Sequence, residues 1–198
     1  MSIEPPLPMT LTVPNLLTLS RIAVIPAILG LLCLPEAWAA WASLTLFIIA
    51  AITDFLDGHI ARVYQVESAF GRFLDPIADK LLVVACLFMF AVLGRIQGWA
   101  ALPAVVILLR EVLISGLREF LGGQGVILPV SELAKWKTAV QMVAIGLLIL
   151  GDHTPPIPLL KQLGVPALWL AALFTVLSAW GYLRTGLTYM NDGNDGDM

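Results

Sequence analysis

The residues best suited to chemistry in this sequence are the aspartates Asp54, Asp57, Asp75 and Asp79, which lie at the ends of strongly apolar segments. A carboxylate at the edge of a bilayer core costs a few kcal/mol, so a group of four needs a compensating partner. Within each pair the spacing is three or four residues, which places both carboxylates on one face of a helix. Two such faces that meet could hold a divalent metal ion.

Ligation by carboxylate oxygens alone predicts a hard ion, Mg²⁺ or Mn²⁺, and the sequence has no His or Cys cluster with zinc-type spacing. His59, inside the acidic segment, could be a ligand or have a packing role. The alternative for the four acids is ion pairing with Arg62, Arg72 and Lys80. Ion pairing alone would explain neither the matched spacing of the acids nor the small residues beside them.

Small residues accompany the acids at helical spacing. Gly58, Ala61 and Gly71 each lie one helical turn from one of the aspartates. Where a Cβ atom is missing, a ligand can approach the backbone. Arg62, one turn beyond Gly58, adds a planar set of donors that suits phosphate. The segment therefore predicts a phosphate-sized space beside the metal ligands.

The composition predicts an integral membrane protein of the all-α class. Of the 198 residues, 59% are hydrophobic and only 13% are charged, and the mean hydropathy is +0.91. Short connections between the apolar segments favour one six-helix bundle, with a single domain over residues 1–190 and a mobile acidic tail over 191–198. The apolar segments, each near the 20 residues that a spanning helix needs, cover residues 15–34, 38–60, 71–94, 99–119, 132–151 and 163–186.

Basic residues predict the orientation of the bundle, because short cytoplasmic loops carry an excess of Lys and Arg. With both termini inside, nine of the eleven basic residues fall on the cytoplasmic side. We therefore expect a multi-pass protein of the inner (cytoplasmic) membrane, with a polar cavity on the cytoplasmic side. A net charge of −3 without a long basic run argues against a nucleic-acid partner. The nine basic residues are Arg21, Arg62, Arg72, Lys80, Arg110, Arg118, Lys135, Lys137 and Arg184.

A basic cluster lies outside the acidic segment. Arg110 and Arg118 are two helical turns apart, about 12 Å along the axis, and Lys135 and Lys137 lie at the start of the fifth segment. If they face one cavity, they suit an anionic ligand that carries a phosphate. The alternative is that they only orient the helices in the membrane or anchor to lipid headgroups.

The acidic segment resembles the signature of a known family. From Asp54 to Asp79 the sequence reads Asp-x2-Asp-Gly-x2-Ala-Arg-x8-Gly-x3-Asp-x3-Asp. This pattern is similar to that of the CDP-alcohol phosphatidyltransferases, with every fixed position present. The resemblance implies an enzyme with a two-metal site (Mg²⁺ or Mn²⁺), bound by Asp54, Asp57 and Asp75. It implies that Asp79 contributes to the second metal and is the general base.

The resemblance also implies a site for the CDP group. Asn15, Thr18 and Arg21 recur at i, i+3 and i+6, so they could line the cytidine pocket, or they could cap and anchor the first helix. Residues that the resemblance places at the CDP group are Gly58, Ala61, Arg62 and Gly71, to which we add Thr18.

The acceptor is predicted from four short segments that resemble the branch of the family that uses glycerol 3-phosphate. These segments are residues 15–21, 75–80, 110–119 and 135–141. The phosphate of the acceptor would be held by Arg110, Arg118, Lys135 and Lys137. The implied reaction transfers the phosphatidyl group from CDP-diacylglycerol to glycerol 3-phosphate and releases CMP. The resemblance further implies a homodimer.

Three alternatives to this reaction remain open. Within the family, inositol phosphate or another alcohol could be the acceptor. Outside it, intramembrane acids occur in divalent-cation transporters and in aspartate-rich prenyltransferases. A transporter would favour acids near the bilayer midplane and a sequence repeat, whereas here the acids lie at helix ends and no repeat is evident.

Overall fold

The computed structural model describes residues 13–64, 69–126, 132–151 and 158–192, with side chains for 15–53, 74, 77, 78, 80–126, 132–151 and 162–186. Within these ranges the chain forms six α-helices, one short 3-10 helix at Gly98–Ala101 and no strand. The all-α prediction and all six predicted helices are thus confirmed. The helices are α1 (Val13–Leu32), α2 (Ala37–Tyr64), α3 (Ala69–Val92), α4 (Leu102–Gly123), α5 (Glu132–Leu150) and α6 (Pro158–Asp192).

Among the described residues, four helices have spans long and apolar enough to cross a membrane. The described parts of α2 and α3 also contain shorter apolar stretches, Ala37–Thr53 and Lys80–Val92. The last helix ends at Asp192, so the predicted tail begins inside it, and residues 193–198 lie outside the described part of the chain. The four long spans are Asn15–Leu32, Gly98–Gly123, Glu132–Leu150 and Gln162–Gly186.

The core joins all six helices. α1 packs on α2 and α3, α5 packs on α6 and α2, and α4 packs on α6. α5 and α6 approach closely at Gly164, where an added Cβ would lie 2.8 Å from Leu148 Cδ2. Large apolar side chains also cover the outer faces of the bundle, as a lipid environment permits. The central residues, one from each helix, are Ile28, Phe47, Phe90, Ile107, Ile145 and Leu168.

Arg95, which follows α3, ties together one end of the bundle. Its Nη1 donates to the carbonyl oxygens of Leu148 and Ile149, each at 3.0 Å, and its Nη2 donates to the carbonyl of Leu32 at 3.2 Å. These carbonyls belong to the last turns of α5 and α1, where intrahelical partners are missing. A cation at a helix C-terminus is also favoured by the helix dipole. One side chain therefore connects the ends of α1 and α5 to the connection that leaves α3.

Arg95→Ala is expected to destabilise the protein by roughly 2 kcal/mol, because it leaves helix-end carbonyls without a charged donor. Thermal unfolding of the detergent-solubilised protein, followed by the loss of the monodisperse peak in gel filtration, would measure this. Lys135→Ala, at an exposed lysine whose surface ion pair with Glu132 contributes little, is the control. Equal stability of the Arg95 and Lys135 variants would contradict the role of Arg95.

Candidate functional site

The four aspartates lie on two consecutive helices. Asp54 and Asp57 are in the last three turns of α2, and Asp75 and Asp79 are in the first half of α3. The predicted helical placement is therefore correct. Their side chains lie outside the described residues, as do those of Ala61 and Arg62 and the surroundings of Gly58 and Gly71. The donor set, four carboxylates at helical spacing, fits Mg²⁺ or Mn²⁺ by its chemistry, and its assignment as a metal site stays a prediction.

A polar cavity of about 160 Å³ lies at the end of the bundle opposite Arg95. It is formed mainly by α4 and α5, with one residue each from α3 (Lys80) and α6 (Tyr182). Four cationic side chains and a single carboxylate line it within the described part of the chain, so its electrostatic potential favours anions. The charged lining residues are Lys80, Arg110, Glu111, Arg118 and Lys137.

Lys80 connects this cavity to the acidic segment. It directly follows Asp79 in α3, and consecutive Cα atoms are about 3.8 Å apart. One wall of the cavity therefore begins one residue from the expected general base. The sequence had suggested Lys80 as an ion-pair partner for the acids and as one of the cytoplasmic basic residues, but not as part of this cavity. Its place in the cavity follows from the packing of α3 beside α4 and α5.

A buried ion cluster lies at the centre of the cavity wall. Lys137 Nζ donates a hydrogen bond to Glu111 Oε1, and Arg110 Nη1 lies 3.7 Å from the same oxygen. The three side chains are between 6% and 11% exposed. Glu111 is a site residue that the sequence reasoning missed. The available signal was a carboxylate directly beside an arginine, in the middle of a predominantly apolar helix.

Arg110 is also held from α6. Its Nη2 donates to Ser178 Oγ at 3.0 Å, and its guanidinium carbon lies 5.8 Å from the ring centroid of Tyr182. Ser178 Oγ in turn donates to the carbonyl of Thr175. These contacts fix the guanidinium in one place before any ligand arrives. Neither Ser178 nor Tyr182 stands out in the sequence, because both are isolated in the long apolar segment of α6.

The predicted acceptor residues separate into two groups. Arg110, Arg118 and Lys137 line the same cavity, as the hypothesis of a shared site requires. Lys135 does not line it. Its side chain is 63% exposed and pairs with Glu132 at 2.7 Å. A role for Lys135 at the acceptor stays a prediction.

The polar face of α1 is buried. Asn15, Thr18 and Arg21 are 4%, 1% and 2% exposed. They share the side of α1 that faces the bundle, and α1 packs on the two helices that carry the aspartates. This burial agrees better with a role in lining the cytidine pocket than with anchoring of α1 at the membrane surface. The assignment of Thr18 to the CDP group stays a prediction.

A second cavity, of about 510 Å³, lies between α2 and α5. Its lining is entirely apolar and includes Ile52, two residues before Asp54. A cavity lined by hydrocarbon cannot hold a phosphate or a metal ion, since it offers neither donors nor carboxylates. The polar cavity is therefore the better candidate for a charged substrate.

Comparison with known proteins decides the family. A family model described as CDP-alcohol phosphatidyltransferase matches residues 11–177. The chain belongs to this family. The matched region of this CDP-alcohol phosphatidyltransferase extends from the start of α1 into α6 and contains both the acidic segment and the basic cluster. The family resemblance seen in the sequence is thereby confirmed.

Individual relatives are similar over most of the chain. A Cereibacter sphaeroides protein named CDP-diacylglycerol–glycerol-3-phosphate 3-phosphatidyltransferase is 39% identical, over 93% of this chain and 99% of the relative. A Rickettsia typhi protein of the same name is 44% identical, over 89% and 97%. A cardiolipin synthase (CMP-forming) from Oryza sativa subsp. japonica is 37% identical, over 91% of this chain and 59% of the relative.

Proposed function

We propose that this protein transfers the phosphatidyl group from CDP-diacylglycerol to glycerol 3-phosphate, giving phosphatidylglycerophosphate and CMP. The observation that carries the proposal is the polar cavity that begins one residue from Asp79, whose lining among the described residues includes four cationic side chains and one carboxylate. The names of the Cereibacter and Rickettsia relatives support the same reaction.

The chemical step is an in-line displacement at the lipid-side phosphorus. Asp79 accepts the proton of an acceptor hydroxyl, a new bond forms between that oxygen and phosphorus, and the bond from this phosphorus to the oxygen of CMP breaks. Asp54, Asp57, Asp75 and Asp79 would hold a pair of Mg²⁺ or Mn²⁺ ions. When bound, these ions would supply positive charge that neutralises the pyrophosphate and the leaving CMP.

The acceptor phosphate binds among the cations of the polar cavity. Arg110, Arg118 and Lys137 donate to its oxygens, with Lys80 beside them, and Lys135 acts from the rim. A doubly charged phosphate offsets the positive charge that exceeds the single negative charge of Glu111 among the described lining residues, whereas an uncharged alcohol would not. The cavity therefore selects glycerol 3-phosphate over inositol or serine.

The CDP group is surrounded by Gly58, Ala61, Arg62, Gly71 and Thr18.

All six helices of the single domain, residues 1–190, cross the inner membrane, with both termini and the polar cavity on the cytoplasmic side. The excess of basic residues at this end of the bundle supports that orientation. The active form is a homodimer.

An acceptor panel tests the proposed function. Purified protein with Mg²⁺ or Mn²⁺ is expected to release CMP from CDP-diacylglycerol with glycerol 3-phosphate. Under the same conditions it should release little with inositol 3-phosphate, inositol or serine. Removal of the metal with EDTA should abolish release, and added Mn²⁺ should restore it. Preference for another acceptor would overturn the acceptor assignment, and no release with any acceptor would overturn the reaction.

A further inference from the structure

Glu111 is an unexpected group in a cavity that would receive a phosphate. By charge alone, a carboxylate repels a dianion and weakens its binding. Glu111 is also only 8% exposed, and burial of a carboxylate is costly unless it is paired and hydrogen-bonded. A carboxylate at this position therefore needs a favourable role that offsets both the repulsion of the phosphate and the cost of its own burial.

The contacts of Glu111 suggest what that role is. One oxygen, Oε1, accepts a hydrogen bond from Lys137 of α5 and lies 3.7 Å from Nη1 of Arg110. Arg110 is fixed in turn by Ser178 of α6. The carboxylate thus fixes the position of two cations that three different helices, α4, α5 and α6, bring together.

Both cations can contact Glu111 and a phosphate at once. An ammonium has three N–H donors and a guanidinium has five, so a bond to one carboxylate oxygen does not prevent a bond to an anion. The side chain of Lys137 has four rotatable bonds, and ordering it costs conformational entropy. A bond to Glu111 orders it before the acceptor binds, which reduces the entropy lost on binding.

We propose that Glu111 is a positioning residue for the acceptor phosphate, which acts by holding the Lys137 ammonium and the Arg110 guanidinium in place. This rests on the proposed function, in which glycerol 3-phosphate occupies the cavity. It adds a specific expectation: loss of a negative charge from an anion site weakens anion binding. A purely electrostatic role for Glu111 predicts the opposite sign.

The test compares Glu111→Gln and Glu111→Asp with wild type. The first variant keeps the size of the side chain and removes its charge, while the second keeps the charge and shortens the side chain. We expect the KM for glycerol 3-phosphate to rise about 10- to 100-fold in Glu111→Gln and by a smaller factor in Glu111→Asp. The KM for CDP-diacylglycerol should change less than about twofold in both. Glu119→Gln, at an exposed acid of the same helix, is the matched control.

A double-mutant cycle shows whether Glu111 acts through Lys137. Combined with Lys137→Gln, the Glu111→Gln substitution should raise the KM for glycerol 3-phosphate much less than it does alone. Full multiplication of the two single effects would overturn the proposed mechanism. If Glu111→Gln does not fold, as judged by thermal unfolding, Glu111→Asp and its cycle with Lys137→Gln decide the matter.

The outcomes separate this inference from the proposed function. Wild-type protein that does not use glycerol 3-phosphate refutes the proposed function. Wild-type protein that uses it, while folded Glu111 variants show an unchanged or lower KM for it, refutes the positioning role alone. A loss of thermal stability without a change in this KM would show that Glu111 is only structural.

Discussion

Asp79→Asn is expected to lower kcat by about 10²- to 10⁴-fold, the range that positioned proton transfer contributes. Asparagine has nearly the same shape as aspartate but cannot accept the proton of the acceptor hydroxyl. The polar cavity supports this role because Lys80, the next residue, forms part of its wall. The rate of CMP release with both CDP-diacylglycerol and glycerol 3-phosphate at saturating concentrations measures kcat.

Asp57→Asn is the matched comparison for Asp79→Asn. Asp57 is proposed as a metal ligand only, so its loss should weaken metal binding more than the loss of Asp79 does. Titration of the solubilised variants with Mn²⁺ would show this difference. Wild-type kcat in Asp79→Asn would remove Asp79 as the base, and equal loss of Mn²⁺ affinity in both variants would indicate that both act mainly as ligands.

Arg110→Gln is expected to raise the KM for glycerol 3-phosphate by roughly 10- to 150-fold, the range that corresponds to about 1.5–3 kcal/mol for hydrogen bonds to a charged group. Arg110 is largely buried in the cavity wall, and Ser178 and Tyr182 hold its guanidinium in place. The KM for CDP-diacylglycerol should change little. Initial rates with each substrate varied in turn would separate the two constants.

The two lysines of α5 provide the control for this result. Lys137→Gln should also raise the KM for glycerol 3-phosphate strongly, because Lys137 lines the cavity. Lys135→Gln should raise it less, since Lys135 is exposed and must leave Glu132 to reach the phosphate. A larger effect at Lys135 than at Lys137, or an equal rise in the KM for the CDP-lipid in Arg110→Gln, would contradict this view of the acceptor site.

The helices and the family could be predicted from the sequence because the relevant signals are local. A run of about 20 apolar residues specifies a helix in a membrane whatever it packs against. The spacing from Asp54 to Asp79 specifies a shared helix face through the 3.6-residue period alone. The limits of α6 were less predictable, because its ends continue into polar residues where hydropathy has no sharp boundary.

The choice between Lys135 and Lys137 could not be made from the sequence. Residues two apart on a helix are separated by about 200° around its axis, so when one faces the cavity the other faces away. Both lysines have the same side chain and the same apolar surroundings in sequence. Only the packing of α4 and α5 on α6 determines which of the two lysines meets Glu111 of α4 and which is exposed.

The sequence by itself therefore determined the all-helical class, the family and the acidic segment, since composition, helical period and motif spacing are properties of neighbouring residues. Only the tertiary structure determined which residues line the polar cavity. Its members come from four helices far apart in the chain, and contacts at such separations depend on helix packing that no local pattern encodes. The residues that only the structure assigned to the cavity or its support are Lys80, Glu111, Ser178 and Tyr182.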